Sequence, residues 1–399
     1  MKFAHIADVH LGNYRDQKLK DLTGEYFSKA IDICIDKKVD FVLIAGDLYH
    51  TALPGIDQVK LVIRKLKELK DRGIRVYYIA GSHDYSPTGK TMLDIIEEAD
   101  LGVFVMKGET KDKVLKLEMF KDEKTKAKIT GIIGKRGMLD KHIYEDLDKE
   151  SLEKEDGFKI FMFHTALSEL KPDFIKMESY NTSNFLPKGF DYYAGGHVHI
   201  YENKTLEGYK NLVYPGPIFP ANFSELERLR CGSFVIYEDG EIKRQKIELK
   251  KIILKEYDFD GKTVEEANKL LKVDEDVEDK IILIKIFGKL KSSNRHDINI
   301  KDLIEDLYER GAFFVLKNTN KLHSKDFEEL DKSEVSAPEE VENEVIKKHL
   351  NQQKNNFKDE FQITKSLLQA LSQEKNDGER NIDYEQRMIE EGKKVIKKD

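Results

Sequence analysis

The sequence predicts a layered α/β sandwich over residues 1–250, and three observations predict it. Apolar, β-rich runs alternate with helix-period segments from Met1 to about Ala99. Five such runs along the first half of the chain end on short motifs containing Asp or His. Several further short strands follow residue 103. Alternation of this kind gives a parallel sheet with right-handed crossovers, in which chemistry gathers beyond the carboxyl ends of the strands.

Taken in order, the pattern predicts strand 2–8, helix 22–37, strand 41–45, helix 57–71, strand 75–80 and helix 91–99. Between 103 and 133, KVLKLEMF and AKITGII are joined by the charged turn KDEKTK, which predicts a hairpin. Helix 138–150 leads into strand 159–163. Strands near 190–195, 212–215, 233–238 and 242–249 are expected to complete a mixed second sheet.

Residues 251–320 predict a small α/β capping domain. A helix opens on the capping box Thr263-Val264-Glu265-Glu266, followed by strand 281–287, a helix around Leu303, Ile304 and Leu307, and strand 312–316. It holds no cluster of ligand residues, so a packing or substrate-shaping role is expected. A charged linker, 321–338, ends at Pro338. Beyond it, 339–399 reads as a helical segment. Val341, Val345, Ile346 and Leu350 form one stripe and Ile363, Leu367, Leu368 and Leu371 another, with Met388, Ile389, Val395 and Ile396 near the end. So short a tail buries these stripes poorly by itself, which suits a helical hairpin or a docking site for a partner helix.

Composition sets the bounds. At 399 residues, and about 150 per domain, two or three domains are expected. Lys and Arg (68) against Asp and Glu (75) leave a formal charge of −7, so a nucleic-acid partner must be met by a local basic surface. Cys34 lies with Phe27, Ala30 and Ile31 at helical spacing, and Cys231 precedes the strand-like GSFVIY. No disulfide framework is expected, and a reducing, cytoplasmic setting is. No apolar run reaches the length of a membrane span, and MKFAHIADVH reads as a strand rather than a signal peptide.

The five motif-bearing runs are KFAHIADVH, FVLIAGD, VYYIAGSHD, IFMFH and YYAGGHVH. Hydrolysis of a phosphodiester requires hydroxide at neutral pH, charge neutralisation on the phosphate and stabilisation of the leaving oxygen, and two divalent ions ~3.5–4 Å apart supply all three. The nucleophile expected is metal-bound hydroxide. Asp47 is the natural shared carboxylate. Asp8, His10 and His199 would complete one ion, and His164, His197 and Ser82 the other. A mixed imidazole and carboxylate shell suits Mn²⁺, Fe²⁺ or Zn²⁺ better than Ca²⁺ or Mg²⁺.

Two histidines fall outside this shell. His83 is assigned as general acid to the departing sugar oxygen and His50 to phosphate orientation. His5, His142, His296, His323 and His349 lack partner motifs and read as ordinary surface or core residues. SPTGKT mimics a phosphate-binding loop, but the leading Gly of that motif would fall on Asp84, so nucleotide binding is rejected there. Tyr14, Arg15, Tyr85 and Lys90 flank the motifs and could stack on bases or meet phosphates, but they read as ordinary exposed loop residues and are left out of the site.

These residues resemble the calcineurin-type metallophosphoesterases, and more closely the meiotic-recombination-eleven (SbcD-like) nucleases of double-strand-break repair. HIADVHLG, IAGDLYH, AGSHDYSPTGKTMLD, MFHTAL, YYAGGHVH and VYPG carry the resemblance. It implies a four-layer αββα sandwich holding two Mn²⁺ ions, a cap that shapes the DNA groove, and a C-terminal helical element that docks a Rad-fifty-type coiled-coil ATPase. It also implies a homodimer with single-strand endonuclease and 3′-to-5′ exonuclease activity. By position it assigns Asp8, His10, Asp47, His164, His197 and His199 as metal ligands and His50 and His83 as catalytic histidines.

Three departures from the family pattern stand out. GSHD places Ser82 where an Asn ligates the second ion, Ile200 and Tyr201 follow GHVH in place of a basic residue, and YPGP carries Pro217 in place of a small polar residue. Two other readings therefore stand beside the nuclease: a DNA-tethering scaffold with an impaired second metal site, and a phosphodiesterase or protein phosphatase that acts on something other than nucleic acid.

Overall fold

The computed structural model describes residues 1–86, 91–135, 139–291, 297–323, 343, 346, 359–373 and 381–396. They fall into two compact units, Met1–His323 and Ser324–Asp399.

The first unit opens with β1 (Lys2–Ile6), α1 (Gln17–Asp36), β2 (Phe41–Ala45), α2 (Ile56–Lys70), β3 (Arg75–Ile79), α3 (Asp94–Glu98) and β4 (Val103–Phe104). β1 through β4 pair in parallel. Helix α1 starts where Asp16 accepts a hydrogen bond from the Lys18 amide, and its buried stripe, including Leu19, Tyr26, Phe27, Ala30 and Cys34, packs on the sheet.

Next come β5 (Gly108–Lys111), β6 (Val114–Leu117), β7 (Phe120–Lys121), β8 (Lys128–Gly131), α4 (Lys141–Glu145), α5 (Lys149–Glu153), β9 (Lys159–His164), α6 (Thr182–Phe185), β10 (Tyr192–Gly196), β11 (Tyr201–Leu206) and β12 (Tyr209–Pro215). The sandwich closes with α7 (Phe223–Leu229), β13 (Gly232–Glu238) and β14 (Glu241–Ile247). One six-stranded sheet runs β14-β13-β1-β2-β3-β4 and the other β11-β12-β10-β9-β8-β7.

The two sheets stack face to face. Along β9, Ile160 and Met162 point into the core shared with the first sheet, whereas Phe161 and Phe163 point to the opposite face and join a second core with Tyr144, Leu152 and Phe185 of the short helices. That alternation, with all four side chains buried, is the signature of a strand covered on both faces. Phe3 of β1 stacks on Phe41 and Tyr237 and meets Tyr192 of the facing sheet edge-on at 5.0 Å. His5 is buried between the sheets with its Nδ1 3.0 Å from the Tyr192 hydroxyl, and burial pulls its pKa down to about 3. The result is helices outside two stacked sheets, the layered α/β sandwich predicted.

Three sequence expectations are corrected, and one strand went unpredicted. The strands near 233–238 and 242–249 do not join the second sheet: β13 pairs antiparallel with β1, Phe3 against Tyr237, and β14 follows it. Both candidate sheets offer an open edge, and only tertiary packing chooses. The predicted 103–133 hairpin is two hairpins. β6 folds back on β5 through Asp112 and Lys113, both at positive φ, and a two-residue stretch of β7 pairs with β8. A two-residue turn of this kind is normally signalled by Gly or Asn, which are absent here. Helix 138–150 is broken into α4 and α5, because Asp148 leaves the helical conformation and caps Ser151 instead. Strand β11, polar along most of its length at the edge of its sheet, carried no apolar signal.

The cap comprises β15 (Ile252–Asp258), α8 (Val264–Leu270), β16 (Ile281–Lys289), α9 (Ile300–Glu309) and β17 (Phe314–His323), a three-stranded parallel sheet in that strand order. The Thr263–Glu266 capping box forms as predicted. β17 runs further than its apolar start because, as an edge strand, it tolerates polar KNTNKLH. Ile252, Ile281 and Leu283 join the main core, so the cap packs on the sandwich.

The second unit contains α10 (Glu360–Leu371) and α11 (Asn381–Ile396), which pack on each other. Ile363 and Met388 are buried, while Leu368, Leu371, Ile389 and Ile396 are exposed. Most of the stripe 341–350 lies outside the described residues. Among the described residues, no helix is long and apolar enough to cross a membrane. Cys34 and Cys231 are both buried and unbridged.

Candidate metal centre

The five motifs converge at the carboxyl ends of β1, β2, β3, β9 and β10. The loops after β1 and β2 run side by side, zipped by backbone bonds from Asp8 to Gly46, His10 to Asp47, Leu11 to Leu48 and back from His50 to Leu11. Asp8 (φ 52°), His10 (49°), Asp47 (51°) and His197 (88°) all sit in the left-handed region. Non-glycine residues there are uncommon and costly, so four at one site mark backbone strain concentrated where the side chains must converge.

Glycines make the approach possible. A Cβ on Gly46 or Gly196 would collide with the His164 ring, and one on Gly81 with the Asp47 side chain. Gly196→Ala is expected to cost ~1–3 kcal/mol as an overpacked core substitution and to displace His164; urea melts together with metal stoichiometry check it, and unchanged values for both would count against this packing.

Two ligand groups combine imidazole with a carboxylate, Asp8, His10 and His199 in one and Asp47, His164 and His197 in the other; a third, His10, His50 and His83, is all imidazole. His10 Nε2 lies 3.0 Å from His199 Nε2, and His199 Nε2 3.8 Å from Asp8 Oδ1. Asp47 Oδ2 is 3.2 Å from His164 Nε2 and 3.6 Å from His10 Nε2, so a single carboxylate oxygen faces both groups. Ser82 is buried beside it, with its hydroxyl 3.5 Å from Asp47 Oδ2. His83 and His50 flank His10 at ring separations of 4.8 and 5.6 Å. His83 Nδ1 donates to the His50 carbonyl at 2.7 Å, and the His83 amide donates to Asp47 Oδ1 at 2.7 Å.

These residues fit a pair of divalent ions. Asp8 Oδ2 is buried with no hydrogen-bond partner among the described residues, an expensive arrangement that a cation would satisfy. His164 Nδ1 donates to the Ala45 carbonyl (2.8 Å) and His199 Nδ1 to Glu225 (3.0 Å), which turns both Nε2 atoms inward, as a metal-ligating histidine requires.

The charges agree. Burial alone would raise the Asp47 carboxyl, but His164, His10 and His83 hold it well below the usual carboxylate range. Burial raises Asp8. Burial disfavours a charged His164, yet Asp47 and Asp8 lift its pKa to about 10; Glu225 and Asp8 likewise lift His199 to about 9 against the same burial. Burial and the neighbouring His164 push His197 down to about 3. Both shifts favour protonated His164 and His199, and a cation held by these nitrogens would compete with those protons, so its affinity is expected to rise with pH.

The cluster opens into a cleft of about 450 Å³, lined by His10, Asp47, Ser82, His83, His197 and His199 on one side and by Phe174, Met177, Asn222, Glu225 and Arg228 on the other. Sequence reading missed three residues here. Asp84 is buried and accepts from the amides of Leu48, Tyr49 and Gly81, stapling the loops after β2 and β3; burial and Asp47 push its pKa up to about 7. Its adjacency to His83 was the available signal. Glu225 and Arg228 belong to α7, well beyond the last of the five motif-bearing runs, and only the spacing Asn222-x-x-Glu225 of a helix start hinted at them.

Of the flanking loop residues, Tyr14 is tied down by its hydroxyl donating to the Pro220 carbonyl, and Tyr85 lies under Lys135. Lys90, within SPTGKT, lies outside the described residues, as do His296 and His349. His142 is exposed beside Glu145, and His323 ends β17.

Paired sheets that deliver two imidazole and carboxylate groups to either side of one aspartate define a class of phosphoesterase. Residues 1–201 match the calcineurin-like phosphoesterase family, and the chain belongs to it. Within that class it is similar to archaeal proteins named DNA double-strand break repair protein Mre11. Identity is 29% over 60% of this chain and 55% of the protein from Archaeoglobus fulgidus, and 31% over 57% of this chain and 59% of that from Methanococcus maripaludis. The protein from Thermoplasma acidophilum is 26% identical over 76% of this chain and 79% of its own length. The chain thus spans little more than half the length of the first two.

Proposed function

We propose that this chain is a two-metal, Mn²⁺-dependent DNA nuclease of double-strand-break repair, with single-strand endonuclease and 3′-to-5′ exonuclease activity. The observation that carries this reading is the position of Asp47 Oδ2, facing both ligand groups at the floor of an open cleft. The similarity to the archaeal repair proteins supports DNA as substrate.

When bound, the two ions supply Lewis acidity and lower the pKa of water. Asp8, His10 and His199 would hold one ion, and His164, His197 and Ser82 the other, with Asp47 contributing to both. His83 Nδ1 is committed as a donor to the His50 carbonyl. Its Nε2 is therefore the nitrogen that carries the proton to the departing sugar oxygen. His50, stacked on His83 at 4.9 Å, orients the phosphate. Asp84 keeps the two loops in register.

The cap and helical unit extend the reading. The cap shapes the DNA groove, and the exposed apolar residues of α10 and α11 dock a coiled-coil ATPase of the Rad-fifty type. The chain acts as a homodimer in the cytoplasm, at the nucleoid.

The test is cleavage of single-stranded DNA with Mn²⁺ and with chelator, by the chain alone and with the ATPase. Absence of Mn²⁺-dependent cleavage in both settings would overturn the proposal.

Ser82 favours a second reading, a DNA-tethering scaffold. Its short, neutral hydroxyl is a poorer donor than an amide oxygen, and it adjoins the shared carboxylate. Ser82→Asn is expected to tighten the second ion by about tenfold, roughly 1.4 kcal/mol, in a calorimetric titration. Equal affinities in both proteins would show that Ser82 does not limit the site.

A further inference from the structure

We propose that α7 is the element through which the cap sets the orientation of His199, with Glu225 as positioning residue at one end and the Glu227–Lys285 ion pair at the other. This rests on the reading of His199 as a metal ligand.

Helix α7 has seven residues, and its side chains reach in three directions. Leu226 is fully buried in the main core and anchors the helix. Glu225 and Arg228, one turn apart, both grip His199: Glu225 Oε2 accepts from the ring Nδ1 at 3.0 Å, and Arg228 donates to the His199 carbonyl at 3.0 Å. Glu227 points elsewhere, to Lys285 of cap strand β16, 2.6 Å away. Lys285 also pairs with Glu256 of β15 at 3.0 Å, which ties the link to two of the three cap strands.

The Glu225 carboxylate cannot turn independently of its helix. Oε1 accepts from the Asn222 side chain (2.7 Å) and Oε2 from the Ala221 amide (2.8 Å), while Asn222 caps the Glu225 amide (3.0 Å). Burial would favour a neutral Glu225, but His199 holds it ionised. Through Lys285 the cap strands bear on Glu227, next in the chain to the Leu226 anchor, and so on the seating of the helix whose Glu225 holds the imidazole. A carboxylate behind a metal-ligating histidine sets the tautomer and direction of the ligand nitrogen, and losing one typically costs 10–100-fold in metal affinity.

The test is calorimetric titration of Mn²⁺ into the metal-stripped full chain without DNA. Glu225→Ala is expected to weaken one of two ions by ~10–100-fold and leave the other unchanged. Glu225→Gln, which keeps the shape and an acceptor, is expected to lose less, and it decides the matter if the alanine variant does not fold. Lys285→Ala and Glu227→Ala are each expected to weaken the same ion by about threefold, and the double variant no further, since the two act through one contact. Lys280→Ala, whose partner Asp276 lies within the cap, serves as control and is expected to match the parent.

A folded Glu225 variant with unchanged affinity for both ions would overturn the positioning role. Unchanged affinity in Lys285→Ala and Glu227→Ala, or additive losses in the double variant, would overturn the cap link. A chain that shows the expected pattern but cuts no DNA would sink the nuclease reading and leave this one standing.

Discussion

Replacing Asp47 with asparagine is expected to lower phosphodiester cleavage by about 10³-fold or more, a barrier increase of roughly 4 kcal/mol, with the fold intact. Asp47 Oδ2 faces both ligand groups, so removing its charge would weaken two ions at once, whereas loss of any other proposed ligand would weaken one. Asparagine is the informative replacement. Asp47 sits at φ 51°, a conformation that Asn tolerates and Ala does not, so Asp47→Ala would add backbone strain to the loss of a ligand. Asn also keeps an oxygen to accept the His83 amide. Kinetics, a Mn²⁺ titration and circular dichroism together check the prediction. Full activity with both ions bound would remove Asp47 from the centre.

His83→Ala is expected to reduce kcat on DNA by ~10²–10⁴-fold with metal stoichiometry unchanged. The leaving group provides the sharper comparison. A sugar alkoxide needs a proton as it departs, whereas p-nitrophenolate does not, so the variant should retain most of its activity on bis(p-nitrophenyl) phosphate. An equal loss on both substrates would refute the acid role and point to a part in holding the site together. Its stacking with His50 and its amide bond to Asp47 make that outcome a real alternative.

Legibility in the sequence followed locality. β1 to β3 and their helices were readable because each alternates apolar runs with amphipathic helices that need no distant information. The candidate ligands were readable because each lies at or just beyond the end of a readable strand, Asp8 and His10 sharing β1 and His197 and His199 sharing β10. β5 and β11 were not: one is a fully exposed hairpin arm and the other a polar edge strand, and neither carries a hydrophobic period. Strands β13 and β14 were readable as strands, but not as neighbours of β1, because pairing between residues 3 and 237 leaves no mark on either segment.

The sequence by itself determined which residue types this protein brings to its chemistry: the Asp and His motifs at strand ends, the glycines beside them and the order in which they occur. Only the tertiary structure decided how they divide. Stacking the sheets set His199 against His10 and Asp8, set His164 against Asp47, and turned one Asp47 oxygen toward both groups. It also delivered Glu225 and Arg228 to the same cleft, and the cap lysine Lys285 to the helix that carries them. The physical reason is that residue type and periodicity are local properties of the chain, whereas a ligand's direction and charge depend on hydrogen bonds and burial created only when distant segments meet.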